Sequence, residues 1–461
     1  MLTAFTLENF KSYRKATLPL APLTVLIGAN ASGKSNAIEG LQMLSWLAQG
    51  QKFSSIRYSV QESERFVRGR LQDIGYRGQK EFAFQCDTDE PGWSKLDIAV
   101  AHRFDELHIA QESISGASET YPLYRIVQPS SGRGSDAEVA YNNFKQGPNK
   151  PRITCTDQTA IFSQLDSPAT FAEKYRRSRE EIPKVAKAYQ ARLANILFLD
   201  PAPARMRDYA HPSDLALHGD GSNLSGVIKD LWDADTYAED LSDLSADDPE
   251  LFHELVEARQ SWARDQILDF IRSLPEQDIA GIDFLTEPRG GVMLRLIETF
   301  GGEERACDAA LLSDGTLRVL AVAAAMLSAP EGSLVVIEEI DNGVHPSRAH
   351  HLLRRIQSIA EARKLRVLLT THNPALLDAL PDVAVPHAVF CYRDPDDGSS
   401  RLVRLSDLPD YPELIAQAPL GHLLTTGVLD RFVKHHPGPE ERKRRALDWL
   451  ERMRSVSAPE A

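Results

Sequence analysis

Apolar runs and amphipathic helical stripes alternate along the chain, and the clearest pair lies near its start. Residues 23–27 read LTVLI, which is typical of a strand buried on both faces. A glycine-containing loop follows, and residues 36–48 then place Ile38, Leu41 and Leu44 on one helical stripe. This order predicts a strand, a loop and a helix at the start of an α/β domain.

The same alternation returns later in the chain. It predicts a helix, a strand, a helix and a strand at residues 316–328, 334–337, 347–363 and 366–371. The two strands are apolar along their whole length. We therefore expect them to join residues 23–27 in a buried sheet that helices cover.

The remaining segments carry weaker patterns. We expect further strands within residues 82–110, 196–199 and 291–298. Helical spacing or charge predicts helices within residues 171–195, 224–275 and 438–454. Pro183 should interrupt the first of these helices, because proline removes a backbone donor. Residues 111–170 are rich in Ser, Gly, Pro and Asn, so we expect a long irregular insertion there.

Composition narrows the class of protein. The 461 residues are 42% hydrophobic and 26% charged, as in an ordinary globular protein, and the net charge is −14. That charge argues against a generally basic surface for nucleic acid, although it allows a local basic groove. The four cysteines form no CxxC pair, which fits a reducing compartment. No apolar run approaches the ~18–20 residues of a membrane span, and the N-terminus lacks signal-peptide features. We expect a soluble, cytoplasmic protein.

The strongest chemical signal is GANASGKS at residues 28–35, between the predicted strand and helix. It fits the phosphate-loop pattern G-x-x-x-x-G-K-[ST] in full. Glycines let backbone N–H groups curl around phosphate oxygens, the lysine reaches the β- and γ-phosphates, and the serine hydroxyl can ligate Mg²⁺. The expected nucleotide contacts are Gly28, Asn30, Ser32, Gly33, Lys34 and Ser35. The alternative is an ordinary Gly/Ser turn.

Two adjacent carboxylates end the predicted strand 334–337. Of Glu338 and Glu339, one can bind Mg²⁺ through water, and the other can polarise an attacking water as general base. Many buried strands end in acidic residues, so this pair becomes informative only together with the phosphate loop.

Two further segments could contact an anion. The turn SDGT at residues 313–316 precedes a predicted helix, so Ser313, Gly315 and Thr316 can offer a hydroxyl and backbone N–H groups to a phosphate. The alternative is a plain N-cap. His372 follows a predicted strand and can hydrogen-bond a γ-phosphate or the attacking water, although a lone histidine is usually structural.

Four segments of the chain resemble the ABC-type ATPase heads of the SMC/RecF/OLD group. In chain order they are the phosphate loop, the turn at residues 313–316, the carboxylate pair at 338–339 and His372. The N-terminal NFKSY at residues 9–13 looks like the opening of SMC-like heads, and residues 220–224 are similar to a segment of standalone RecF/OLD-like ATPases. The resemblance makes residues 28–35 the Walker A motif, 313–316 the signature and 338–339 Walker B. It makes His372 the switch histidine and places the D-loop at residues 341–346.

The resemblance also implies a mechanism. Two heads would sandwich two ATP molecules with Mg²⁺, and Ser313 and Gly315 of one copy would complete the site that Lys34, Ser35 and Glu339 form in the other. Hydrolysis would open the dimer. The Q-loop glutamine, a further metal contact, is assigned to Gln72, with Gln79 as the rival.

Four departures from the family pattern limit the biological role. Glu338 stands where aspartate is usual, and the signature reads SDGT in place of SGGQ. Only 240 residues separate Gln72 from Ser313, and they show no heptads, so we expect no long coiled-coil arm. The sequence after His372 shows no acidic cluster of the kind that a TOPRIM nuclease needs.

The predicted fold class is α/β: an ABC-type P-loop ATPase head with a mixed or parallel core sheet, a helical insertion and a short C-terminal helical tail. An ATPase lobe with Walker A at 1–110 precedes an irregular and helical insertion at 111–195. A return strand and helical subdomain at 196–290 leads to a lobe with the signature, Walker B and His372 at 291–400. A helical tail at 401–461 completes the division.

Three functions compete. The first is an ATP-gated dimeric switch that controls a separate effector protein, in phage defence or a toxin system. The second is a RecF-like DNA-repair or DNA-clamping ATPase, which keeps DNA open as a partner. The third is a nucleotide-dependent scaffold with negligible turnover. Basic stretches at residues 174–177 and 442–445 adjoin acidic residues, which favours solvated helix faces over phosphate contacts. We expect no membrane partner.

Overall fold

A computed structural model describes residues 1–56, 68–233, 249–271, 278–342 and 346–435, together with residues 444 and 447. Within these residues the strands are β1 (Leu2–Phe10), β2 (Tyr13–Pro19), β3 (Leu23–Ile27), β4 (Glu81–Thr88), β5 (Lys95–Arg103), β6 (Glu106–Ser115), β7 (Tyr124–Gln128), β8 (Asp136–Tyr141), β9 (Arg152–Thr156), β10 (Leu197–Leu199), β11 (Ile279–Thr286), β12 (Val292–Phe300), β13 (Glu303–Asp308), β14 (Leu334–Ile337), β15 (Arg366–Thr370), β16 (Val389–Arg393) and β17 (Ser400–Arg404).

The α-helices of the same residues are α1 (Lys34–Ala48), α2 (Arg176–Ala194), α3 (Pro203–Met206), α4 (Leu224–Asp233), α5 (Pro249–Ile271), α6 (Asp314–Ser328), α7 (Pro346–Ala362), α8 (Pro374–Asp378), α9 (Tyr411–Ile415), α10 (Leu420–Thr425) and α11 (Val428–His435). Across the described ranges, every helix is too short or too polar to cross a membrane.

A six-stranded sheet forms the centre of the fold. Its order is β10-β14-β15-β3-β16-β17, and its first five strands are parallel while β17 runs antiparallel to β16. Both faces are buried. Val25 and Ile27 pack in the core that contains α6 and α7, whereas Leu26 between them packs in the core that contains α1. The expected mixed, largely parallel core sheet is confirmed, and strands 23–27 and 334–337 lie where the apolar runs predicted them.

An eight-stranded antiparallel sheet covers α1. Its order is β2-β1-β4-β5-β6-β7-β8-β9. Leu7, Phe84 and Ile98 point from this sheet into the core that contains α1. Neighbouring residues on the same strands, among them Thr6 and Gln85, line an open polar surface on the other face. One buried face and one polar face explain the alternating pattern of its strands.

The expected irregular insertion at residues 111–170 is wrong. The end of β6 and the strands β7, β8 and β9 lie there and extend the antiparallel sheet. These strands are short, and the turns between them are rich in Ser, Gly, Pro and Asn, so the composition of the turns concealed the strands. Burial of Ala137, Val139 and Tyr141 along β8 follows the alternation of a half-buried strand.

The expected interruption at Pro183 is also wrong. Helix α2 runs through this residue. Ile182, Val185 and Tyr189 are buried on both sides of the proline, and Pro183 is buried with them. Packing of this continuous apolar stripe outweighs the loss of one backbone hydrogen bond.

Smaller elements complete the fold. Strands β11, β12 and β13 form an antiparallel sheet, and α4 and α5 pack with α6 in one core. Helical structure predicted for 224–275 is present in α4 and α5, while residues 234–248 and 272–275 lie outside the described residues. The start of the expected tail holds the end of β17 and the short helices α9, α10 and α11. The charged helix predicted at 438–454 lies outside the described residues, apart from positions 444 and 447.

Candidate functional site

The phosphate loop connects β3 to α1 and is held against the strands β16 and β17. Gly28 has φ of 148°, and a Cβ atom there would lie 2.1 Å from the carbonyl oxygen of Cys391. Gly33 has φ of 125°, and its Cβ would lie 2.3 Å from Ser400 Oγ. Both positions therefore require glycine, since a side chain would meet neighbouring atoms and strain the backbone.

Lys34 begins α1 and points back over the loop. Its Nζ donates to the carbonyl oxygens of Gly28 at 2.6 Å and Ala29 at 3.1 Å. Burial lowers the pKa of Lys34 below its usual range. The residue lines a cavity of about 680 Å³ together with Asn30, Ser32, Gly33 and Ser35. A cationic side chain and a curled backbone thus face one space at the N-terminus of a helix, which suits a phosphate.

Both Walker B carboxylates line the same cavity. The backbone N–H of Glu338 donates to the carbonyl of Leu199 at 2.9 Å, which continues the pairing of β14 with β10. Glu339 turns out of the strand with a left-handed φ of 47°, and its N–H donates to Thr370 Oγ1 at 2.9 Å. This turn allows two neighbouring side chains to reach one space, which a regular strand would direct to opposite faces.

A third carboxylate lies beside this pair. Asp200 follows β10 and shares a small pocket with Glu338 and Glu339. Burial raises the pKa of Glu338, and the nearby Asp200 carboxylate raises it further. Burial likewise raises the pKa of Asp200, with a smaller contribution from Glu339. Clustered carboxylates resist ionising together, so a bound cation would stabilise their charged forms.

This chemistry fits a magnesium ion that takes few ligands from the protein. Ser35 supplies a hydroxyl and Glu338 a carboxylate on the wall of one cavity. Mg²⁺ keeps several waters and takes phosphate oxygens as ligands, so two protein ligands are sufficient. Across the described residues, no group of three or more His, Cys, Asp or Glu side chains is arranged to hold a metal ion.

His372 follows β15, the strand that pairs with β3, and lines the cavity beside the phosphate loop. Its ring is 58% exposed, and Nδ1 lies 3.6 Å from Oδ2 of the buried Asp341. The carboxylate can orient the ring and leave Nε2 directed elsewhere. Asp341 belongs to the expected D-loop, of which residues 343–345 lie outside the described residues.

The signature turn lies away from this cavity. Ser313 caps α6: its Oγ accepts from the N–H of Thr316 at 3.1 Å and lies 2.8 Å from the hydroxyl of that residue. None of Ser313, Gly315 and Thr316 lines the cavity that Lys34 lines. A turn capped in this way keeps its first N–H groups directed outward, where an external anion could reach them.

Gln72 is likewise separate from the Walker residues. It lies in a single 3₁₀ turn, Leu71–Asp73, and lines an adjoining cavity of about 550 Å³. That cavity shares Lys11, Arg68 and Arg393 with the one beside Lys34. Gln79 lines a third cavity together with Gln72.

Sequence reasoning missed several residues of the site. Asp200, Lys11, Arg68 and Arg393 were not expected there. Asp200 and Arg393 each stand at the carboxyl end of a strand in the central sheet, and this position is the signal that could have identified them. Lys11 and Arg68 both pair with the buried carboxylate of Glu39 on α1, an arrangement that only the folded chain reveals.

Two family models match the chain. A model described as an AAA ATPase domain matches residues 1–190. A model described as an AAA domain, putative AbiEii toxin, type IV toxin–antitoxin system, matches residues 161–378. No curated protein matches the sequence. The first match contains the phosphate loop at residues 28–35, and the second contains Glu338, Glu339 and His372.

Solved structures of similar architecture are SMC head domains. An Smc head bound to the C-terminal winged-helix domain of ScpA is 13% identical, with 87% of this chain and 96% of that chain covered and a TM-score of 0.44. An Smc head with an extended coiled coil, bound to the C-terminal domain of ScpA derived from Pyrococcus furiosus, is 14% identical, with coverage of 87% and 95% and a TM-score of 0.42. The SMC head of Thermotoga maritima is 14% identical, with coverage of 87% and 98% and a TM-score of 0.38. Both family matches are to AAA-type ATPase domains, which agrees with the ATPase class that the expected resemblance implies.

Proposed function

We propose that this chain is an SMC-like ABC-type ATPase head, that it binds and hydrolyses ATP, and that it acts as an ATP-gated dimeric switch that controls a separate effector protein. One observation carries the proposal. A single cavity gathers the phosphate loop, Glu338, Glu339 and His372, whereas the signature turn lies outside it. Such an arrangement is half of a composite site, and a second copy would supply the missing half.

In the proposed site, the chain's own groups bind the triphosphate. Lys34 exchanges its two carbonyl partners for phosphate oxygens, and the N–H groups of residues 30–35 surround the β-phosphate. Ser35 and Glu338 hold Mg²⁺, which neutralises phosphate charge when it is bound. The partly buried lysine is a stronger electrostatic partner for phosphate than an exposed one, because less water screens it.

Glu339 is the proposed general base. Asn342 Nδ2 donates to its Oε2 at 2.7 Å, and Thr370 holds its backbone, so the carboxylate is oriented from two sides. An oriented carboxylate next to the γ-phosphate position can accept a proton from the attacking water. His372 can hydrogen-bond the γ-phosphate from the neighbouring strand end.

A role in a toxin system is supported by the description of one family model, which names a putative toxin of a toxin–antitoxin system. The DNA-clamping alternative gains less support. Arg176 and Arg177 pair with Glu180 and Glu181 on the next turn of α2, so this basic stretch is already neutralised. A surface that binds DNA phosphates needs lysine and arginine side chains that are not already paired with acidic residues.

ATP turnover and nucleotide-dependent self-association test the proposal together. In the Glu339→Gln variant, Mg-ATP should bind without being hydrolysed, and sedimentation velocity should show a dimer. Lys34→Ala should abolish both the turnover of the parent and the dimer. Turnover that survives in Lys34→Ala would show that the assigned site is wrong. If the Glu339→Gln variant stayed monomeric at saturating ATP, the proposal of a dimeric switch would be wrong.

Capture from the native host tests the effector. Tagged Glu339→Gln, which keeps ATP bound, should retain a protein partner in fixed ratio, and tagged Lys34→Ala should lose it. Nucleic acid retained without a protein partner would favour the RecF-like alternative instead.

A further inference from the structure

The side chain of Arg207 donates hydrogen bonds to the signature turn. It follows α3, the short helix that leads away from the Asp200 end of the central sheet. Its Nη2 donates to the carbonyl oxygen of Leu312 at 3.0 Å and to Asp314 Oδ1 at 2.6 Å. One guanidinium therefore contacts the turn both before and after Ser313.

Asp314 makes the signature turn an unusual site for an anion. The turn offers the Ser313 hydroxyl and the N–H groups at the start of α6 to a phosphate. A carboxylate between Ser313 and Gly315 repels that phosphate, and repulsion between charges acts over about 8 Å at physiological ionic strength. The Asp314 side chain is 61% exposed, so it faces the same solvent that a phosphate would enter from.

We propose that Arg207 is a positioning residue that neutralises Asp314 and fixes the signature turn, so that the turn can accept the γ-phosphate of a nucleotide held by a second copy of the chain. This inference rests on the proposed function and adds a residue to it. The Arg207–Asp314 ion pair is partly exposed and contributes little to stability, so its main effect is on the charge that a phosphate meets.

Apolar residues around the turn support contact with a second copy. Leu311 is 76% exposed one residue before Leu312, and Tyr209 is 43% exposed two residues after Arg207. Burial of such apolar side chains against a second copy would remove them from water and favour association. The signature turn thus lies on a face with both the chemistry for an anion and the apolar area for association.

A charge-removal cycle tests the proposal, with ATP-dependent dimerisation of Glu339→Gln chains as the readout. In this background, Arg207→Ala should raise the ATP concentration that gives half-maximal dimer by about tenfold, a loss of about 1.4 kcal/mol. Asp314→Asn should dimerise at least as readily as the parent, because the repulsion is gone. The double variant should recover to within about threefold of the parent, a pattern that a merely structural arginine would not give.

Arg205→Ala is the matched control. Arg205 lies two residues earlier and pairs with Asp220 at 2.8 Å, away from the signature turn. Its loss should leave dimerisation within about twofold, as for an ordinary surface ion pair. The Arg207→Ala defect should also shrink at 0.5 M salt, since screening weakens the uncovered repulsion.

Two results would overturn the proposal. The first is a double variant as defective as Arg207→Ala, which would make Arg207 a support for the local fold alone. The second is dimerisation of Arg207→Ala equal to that of the parent. Failure of the proposed function is a separate outcome: the Glu339→Gln parent would then stay monomeric with ATP, whatever residue stands at 207.

Discussion

The two large sheets of this protein have opposite relations to its chemistry. In the central sheet, β3, β14, β15, β10 and β16 are parallel, so their carboxyl ends meet at one edge, and the proposed site is built there. In the eight-stranded sheet, neighbouring strands are antiparallel, and strand ends alternate between two edges. Parallel strands concentrate loops and side chains at one place, whereas the antiparallel sheet supplies a surface that supports α1.

If this comparison is correct, equivalent changes in the two sheets will have different consequences. Changes at the carboxyl edge of the central sheet should affect nucleotide binding and turnover. Changes in the antiparallel sheet should affect stability and leave turnover nearly intact.

Paired lysine substitutions should give the largest difference. Lys34→Ala should lower ATP turnover at least about 100-fold, because the phosphates lose their partly buried cation. Lys15→Ala on β2 removes an exposed lysine that pairs with Glu8, and turnover should stay within about twofold. Steady-state ATPase assays on both variants, with circular dichroism to confirm folding, measure this. Comparable losses in the two variants would contradict the comparison.

Paired glycine substitutions should give the next largest effect. Gly33→Ala forces a Cβ against Ser400 Oγ at positive φ, which should lower the free energy of unfolding by about 1–3 kcal/mol and weaken nucleotide binding. Gly281→Ala on β11, in the smaller three-stranded antiparallel sheet, adds a methyl group in open space and serves as a control in which both quantities should change little. Urea unfolding and ATP titration measure the two properties. A Gly33→Ala variant that binds ATP like the parent would refute the assigned loop geometry.

A buried carboxylate gives the antiparallel sheet a pH dependence of its own. Glu112 accepts hydrogen bonds from Tyr124 and the N–H groups of Ile161 and Phe162, and burial raises its pKa from 4.5 to about 7. Below pH 4.5 it is protonated in both folded and unfolded chains. As the pH rises toward 7, the unfolded chain releases the proton first, so stability should fall by up to about 3 kcal/mol.

Glu112→Gln should remove this component of the pH dependence, since the amide does not titrate. Urea unfolding of the parent and the variant between pH 5 and pH 8 measures the difference, and turnover at pH 8 should remain within about twofold. A stability difference that is constant across this pH range would contradict the assignment.

The smallest expected effect concerns Asp200. Its carboxylate raises the pKa of Glu338, so the parent should bind Mg²⁺ more weakly at acidic pH, where Glu338 is protonated, than at pH 8. Asp200→Asn should reduce this loss by about twofold, because Glu338 ionises more readily without the neighbouring charge. Magnesium titration of nucleotide binding at the two pH values measures it. Equal weakening at both values would make Asp200 a metal ligand instead.

The central sheet was predictable from sequence and the antiparallel sheet largely was not, for physical reasons. Residues 23–27 and 334–337 are buried on both faces, so their apolar runs are continuous, and chemical motifs follow them directly. Strands β7 to β9 are buried on one face only, and polar turns separate them, so composition suggested an irregular segment. Pro183 was expected to break α2, but tertiary packing on both sides of it is stronger than the local preference.

Some residues of the proposed site could likewise be predicted from the sequence, and others could not. The phosphate loop and the Walker B pair are adjacent in sequence to their strands, so their meeting at one sheet edge could be predicted. Asp200 comes to Glu338 through strand pairing across more than 130 residues, and Arg207 reaches Asp314 across 107. A sequence gives no signal for such pairs beyond their position at the ends of elements.

The central claim is that two copies of the chain complete one another's sites, and mixing two defective variants tests it most directly. Lys34→Ala lacks the phosphate lysine, and Ser313→Ala lacks the signature hydroxyl, so each should be nearly inactive alone. A mixed dimer has one intact site out of two, and Lys34→Ala chains do not pair with each other, so an equimolar mixture should recover up to about one half of parental turnover. Turnover of the mixture equal to the average of the two separate variants would contradict the account.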